Sequence, residues 1–301
     1  MPSPDRPGAL NWALITLLGV IWGTAFMGVS LALDGFGPWW VTAGRTTLAA
    51  ILLGGLAAAT GQGVTHLSGG RAWAFSTAIG LGAIALPFSL LSWGLTQVPS
   101  AFAGVAMGAV PLLVLPLVAV FSPEEGIGPR RILGVGLGFV GLVILVGPGA
   151  LDSGTLVGRM ACIGAACCYA GGSVLTRRAP PMPPLGFAAA TLIIASLALV
   201  PLALWQEGVP RMGSAPAMAA LIYVALFPTA LATFIRIRVI TTAGSLFMSL
   251  TSYMVPVWAV LFGVTLMNEA LPPQLFWALA LILIGIGISQ SRALSAMRRK
   301  S

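Results

Sequence analysis

Apolar residues run through this chain in long stretches separated by short breaks of glycine, proline and charge. The stretches cover residues 10–33, 39–60, 72–96, 100–121, 131–146, 156–175, 185–205, 217–234, 243–267 and 276–289. A helix of about 20 apolar residues crosses a hydrocarbon core of ~30 Å, so the pattern predicts ten membrane-spanning helices and an all-α protein. The breaks carry turn formers: Asp34-Gly35-Phe36-Gly37-Pro38, Pro123-Glu124-Glu125-Gly126, Pro180 to Pro184, and Leu271-Pro272-Pro273. None has room for a folded unit outside the membrane. The single histidine, His66, falls in such a break and reads as a solvated side chain.

One pattern occurs twice. Pro256 is followed thirteen positions later by Glu269, and Pro111 at the same distance by Glu124. A short polar break and a glycine-studded apolar run follow each carboxylate, over 132–146 and 276–288. Trp22-Gly23-Thr24-Ala25 is answered by Tyr169-Ala170-Gly171-Gly172, and Pro87 by Pro228. The chain therefore divides into two repeats, residues 10–148 and 155–292. Each repeat holds five spans, an odd number, so the second enters the membrane from the opposite side. The expected architecture is two inverted five-helix repeats around a central cavity, with a substrate site near the membrane midplane where the halves meet.

Composition settles the solvent. The chain is 58% hydrophobic and 7% charged, with mean hydropathy +0.99. A soluble domain carries about a quarter of its residues charged, so this chain belongs in a bilayer with lipid as its surroundings. Its net charge of +8 comes from arginines in the breaks and reads as a topology signal. Arg6, Arg71, Arg130, Arg131, Arg177, Arg178, Arg236, Arg238 and the carboxy-terminal cluster fall on one side, Arg159 and Arg211 on the other. That asymmetry puts both termini in the cytoplasm, for a multi-pass protein of the plasma membrane (the cell inner membrane). The first apolar run has spanning length, which is too long for a cleavable signal. No aromatic and basic platform suited to nucleic acid is present. Cys162, Cys167 and Cys168 share one apolar run and read as packing residues.

Absences narrow the chemistry. The only lysine is Lys300, so a P-loop is excluded. No nucleophile, base or metal-ligand set lies at membrane depth. An enzyme, a cofactor or a metal is therefore not expected, and the partners expected are lipid and a small-molecule substrate. All seven acidic residues sit at span ends or in breaks. Arg45 is the one ionisable residue well inside a span. It reads as a counter-charge for a substrate carboxylate, as an anchor between helices, or as a side chain that snorkels to the headgroups. Glu124 and Glu269 each precede a span and read as helix caps, with a gating contact as the alternative. Pro87, Pro111, Pro228 and Pro256 interrupt apolar spans and are hinge candidates, because the carbonyls they free must find protein or water. Trp22, Trp93, Met107, Tyr169, Ser173, Ser252 and Tyr253 join Arg45 as candidate cavity lining. Trp39, Trp40, Trp205 and Trp277 read as interfacial anchors. Gly19/Gly23, Gly104/Gly108 and Gly134/Gly138 permit close helix approach, within the bundle more than in a dimer, so a monomer and a homodimer both stay open.

These residues resemble a known group. Trp22-Gly23, Arg45, Pro111 with Glu124, and Pro256 with Asn268-Glu269-Ala270-Leu271 are similar, in order and spacing, to the drug/metabolite transporter superfamily and its ten-span EamA family. The resemblance implies an exporter of small metabolites such as amino acids, working by alternating access. It departs at Ser122-Pro123-Glu124-Glu125, where the family shows a glycine before a single glutamate. The small four-span multidrug members carry a glutamate inside their first span, and residues 10–33 have none. A facilitator or exchanger of neutral or zwitterionic solutes is therefore expected over a proton-coupled pump. Nucleotide-sugar and multidrug-type transport are the nearer rivals. The former would want several cavity cations, where only Arg45 is available. A channel or a membrane-embedded enzyme stands further off.

Overall fold

The computed structural model describes residues 8–121, 128–146, 154–211, 213–248 and 250–289, and all regular structure among them is helical. In chain order the helices are α1 (Ala9–Leu33) and α2 (Pro38–Ala59), followed by α3 (Gly70–Gly94). Next come α4 (Ser100–Gly108, resumed at Val110–Phe121), α5 (Pro129–Val146), α6 (Leu156–Arg177) and α7 (Pro184–Glu207). A further run, α8, comprises Ala215–Ala225, Leu226–Leu231 and Ala232–Met248, and α9 (Thr251–Thr265) and α10 (Pro273–Ser289) are the last of the described helices. Five are long and apolar enough to cross a membrane: α1, α2, α3, α7 and the part of α8 at Ala215–Arg236. The others include shorter apolar helices such as α9 and α10.

Helix starts follow the sequence. Proline opens α2, α5, α7 and α10, at the position where its missing N–H costs nothing. Thr155 caps α6 by accepting from Gly158, and Ser214 caps α8 by accepting from Ala217. One expected boundary moved. The break anticipated between residues 234 and 243 is helical, and the interruption comes after Met248. The reason is local, since no glycine or proline occurs from Ile235 to Ala243 to end the helix.

The most extensive contacts pair α5 with α10, α2 with α7, α1 with α9, α4 with α9, and α3 with α6. Contacts along α1 give chain directions. Asn11 meets Thr242, Trp22 meets Pro228, and Gly28 lies against Val224, so this part of α8 runs antiparallel to α1. Gly19 lies against Met254 and Gly23 against Trp258, so α9 runs parallel to it. The main core lies where these helices meet, with Val29, Phe102, Val105, Ala259 and Ile282 nearly or fully buried.

The glycine pairs are filled by helices of the same chain. A methyl group on Gly108 would lie 2.6 Å from Cγ of Pro256, and one on Gly134 would lie 2.5 Å from the Gly285 carbonyl. Arg159, read from sequence as a topology charge, is 2% exposed. Its Nη1 donates to the carbonyl of Val146 at the end of α5, where a cation opposes the negative pole of the helix.

Candidate functional site

Arg45 lies in the second turn of α2 and is 7% exposed. Its Nε donates to Oγ1 of Thr229 at 2.7 Å, and its guanidinium carbon stands 4.0 Å from the centre of the Phe88 ring. Phe88 meets Tyr169 edge to face, with ring centres 6.3 Å apart. Residues of α2, α3, α6 and α8 thus converge on one guanidinium. The side chain does not snorkel to the headgroups. Neither of its terminal nitrogens has a hydrogen-bond partner among the described residues.

Thr229 owes its place to a local widening of α8. Residues Leu226–Leu231, which contain Pro228, form a π-helical turn, and a matching turn at Gly80–Ala85 in α3 precedes Pro87. Proline cannot donate to the carbonyl four residues back, and a π turn is one way for a helix to absorb that loss. In lipid the displaced carbonyls still need partners. Thr229 Oγ1 donates to the Val224 carbonyl, and Trp22 Nε1 donates to the Pro228 carbonyl at 3.2 Å. Next to them the hydroxyls of Thr24 and Tyr223 bond to each other.

The other candidates differ in exposure and partners. Residues 100–109 are all buried except Met107, which is partly exposed and packs against the main core. Trp22, Tyr169 and Ser173 are likewise partly exposed within α1 and α6, and Ser252 and Tyr253 in the first turn of α9. Ser173 Oγ is spent on the Tyr169 carbonyl, and the Tyr253 hydroxyl is buried without a partner. Trp93 stands apart: it lines a groove of about 410 Å³ with Trp39, Leu86 and Leu199, between α3 and α7. Pro111 is the second residue of the second part of α4, two positions after the break at Ala109, and Pro256 lies inside α9 against Gly108.

The family follows from the whole chain. The profile of the EamA-like transporter family matches residues 10–147 and again residues 156–289. This chain belongs to that family. A crystal structure described simply as that of a protein superposes with a TM-score of 0.69, covering 97% of this chain and 99% of the other at 21% identity. At that identity the likeness speaks for the fold alone. No curated protein matches the chain. The EamA-like family makes this a multi-pass membrane transporter of the drug/metabolite type.

In this EamA-like chain the carboxylate of Glu269 sits at a helix N-terminus, though not that of the helix following it. It accepts from the backbone N–H of Ser100 at 2.6 Å and of Ala101 at 3.0 Å, at the start of α4. Asn268 makes this possible with a φ of 52°, a left-handed conformation that asparagine tolerates better than most residues. Gly263 leaves the room, since a methyl group there would lie 2.5 Å from Oε2 of Glu269. Glu207, at the end of α7, does the same for α2, accepting from Trp39 and Trp40 at 3.0 and 3.1 Å. Glu124 lies outside the described residues.

Sequence reasoning missed Thr229, Phe88 and Glu207. The first two look like ordinary helix residues until α2, α3 and α8 are assembled. Glu207 did carry a signal: a carboxylate at a helix C-terminus opposes the helix dipole and needs a partner elsewhere.

Proposed function

We propose that this transporter exports a small amphipathic metabolite, an amino acid or related compound, by alternating access as a facilitator or exchanger. The observation that carries the reading is the crosswise packing of the two family-matched segments. Helices of residues 10–147 pack most extensively on helices of residues 156–289, as α2 on α7, α3 on α6, and α5 on α10. Two five-span repeats of opposite orientation would pack in this way, and rocking one against the other would expose a central site to each side in turn. Pro111 and Pro256, at the break in α4 and against Gly108, are the proposed hinges. Trp22, Met107, Tyr169 and Tyr253, partly exposed inside the bundle, are the proposed lining. The ten spans would place both termini in the cytoplasm of a plasma-membrane protein.

Coupling to protons is not part of the proposal, because none of the seven acidic residues falls in the middle of an apolar stretch. The test is uptake into proteoliposomes of a labelled amino-acid panel, with and without an imposed pH gradient. Saturable flux indifferent to the gradient is expected. Flux that requires the gradient would overturn the facilitator mechanism.

A further inference from the structure

We infer that the Arg45 site takes its substrate by the carboxylate, on the open edge of the guanidinium, with the apolar body of the substrate against the aromatic lining. The inference rests on the transport reading and concerns the chemistry of the same cavity.

The guanidinium is committed on one edge and one face and open on the other edge. Thr229 takes Nε, and the Phe88 ring covers one face of the plane. Neither contact neutralises the charge. The edge carrying both Nη atoms has no partner among the described residues. An arginine serving only as an anchor would spend those donors on carbonyls, since unmade bonds of a buried cation are costly. Two parallel N–H groups on a rigid fork match the two oxygens of a carboxylate, in the plane that the Phe88 ring leaves free.

Among the described residues nothing comparable stands ready for a cation. The acidic residues with described positions, Asp34, Glu207 and Glu269, lie at helix ends, and both glutamates are held by helix N-termini. Several polar atoms of the lining are already spent, Trp22 Nε1 on Pro228, Ser173 on Tyr169, and Thr24 with Tyr223, while the Tyr253 hydroxyl is left without a partner. The rest of what could touch a ligand is aromatic and thioether surface, from Trp22, Met107 and Tyr169. A lone amine would bring its ammonium out of water with no described anion to meet it, beside an arginine of the same sign, whereas a zwitterion carries a carboxylate for the fork.

The experiment uses the purified full chain in detergent and three probes on one skeleton: 4-methylpentanoate, leucine and isoamylamine. Binding is read as the upward shift of the thermal midpoint with ligand concentration. 4-Methylpentanoate and leucine, which share the carboxylate, are both expected to bind, and the amine not at all. Arg45→Gln is expected to abolish the order of preference. Should that variant fail to fold, Arg45→Lys keeps the charge without the fork, and is expected to keep the order while weakening the carboxylate about tenfold. Isoamylamine binding as tightly as the two carboxylates, or no shift with any probe, would overturn the inference. Proteoliposome flux tests the transport reading separately, so carboxylate-selective binding without flux would sink that reading by itself.

Discussion

The backbone N–H of Ser100 lies 2.6 Å from Oε1 of Glu269, a residue 169 positions further along the chain. The bond joins the start of α4 to the turn that follows α9. Glu207 and Trp39 are related in the same way across α7 and α2. In each case a carboxylate from the second family-matched segment closes the open end of a helix in the first.

Removing either carboxylate leaves two partly buried N–H groups unpaired at the positive end of a helix. Glu269→Ala is expected to cost about 2–3 kcal/mol of stability, and Glu269→Gln about half as much, because the amide keeps one acceptor. Thermal unfolding of the detergent-solubilised variants measures this. A Glu269→Ala midpoint equal to that of the parent would dismiss the cap.

Trp22 tests the π turn. Trp22→Phe keeps an aromatic ring but withdraws the N–H that serves the Pro228 carbonyl. The expected loss is about 1–3 kcal/mol, the cost of an orphaned buried acceptor. An unchanged midpoint would mean that water or another group takes the carbonyl over.

Tyr253 predicts the opposite sign. Its hydroxyl is buried without a partner, so Tyr253→Phe removes an unpaid desolvation cost while keeping the ring. The midpoint is expected to hold or rise. A clear drop would show that the hydroxyl has a partner in the membrane.

The Gly108 surface tests the proposed hinge contact. Gly108→Val would drive a branched side chain into the ring of Pro256, which lies 2.6 Å from where a Cβ would stand. Overpacking of this kind costs about 1–3 kcal/mol, with transport falling alongside stability. Flux per folded molecule that matched the parent would argue against a tight α4–α9 contact during turnover.

Accessibility reports on the cycle itself. Ser173→Cys and Ser252→Cys, in a background with Cys162, Cys167 and Cys168 replaced, are expected to change their labelling rate with an impermeant thiol reagent when substrate is added. Two rates that ignored substrate would leave alternating access without support.

Much of the fold was legible because lipid makes a simple demand: each span must be apolar and must satisfy its own backbone. That is why the apolar stretches and their proline and glycine punctuation fall close to the observed helices. The twofold recurrence of Pro111 with Glu124 and Pro256 with Glu269 was legible for the same reason, since it repeats along the chain. The site was less so. Arg45 stood out as a charge in an apolar run, but Phe88 and Thr229 differ in no way from helix residues that face a neighbour. Their importance lies in where α3 and α8 come to rest. Glu269 was read as belonging to the helix that follows it. The left-handed turn at Asn268, which a sequence only hints at, redirects it to Ser100.

The long-range caps also bear on how the chain is made. The N–H groups of Trp39 and Trp40 must wait for Glu207, some 167 residues later, and that of Ser100 waits longer still for Glu269. A chain synthesised from its amino terminus therefore inserts α2 and α4 with unfinished ends, and completes them only when the turns after α7 and α9 emerge. The first five helices, expressed alone, would keep those ends open to water and chaperones. Supplying residues 154–301 as a separate polypeptide should close them, so assembly of the two pieces in the membrane becomes a measure of folding itself.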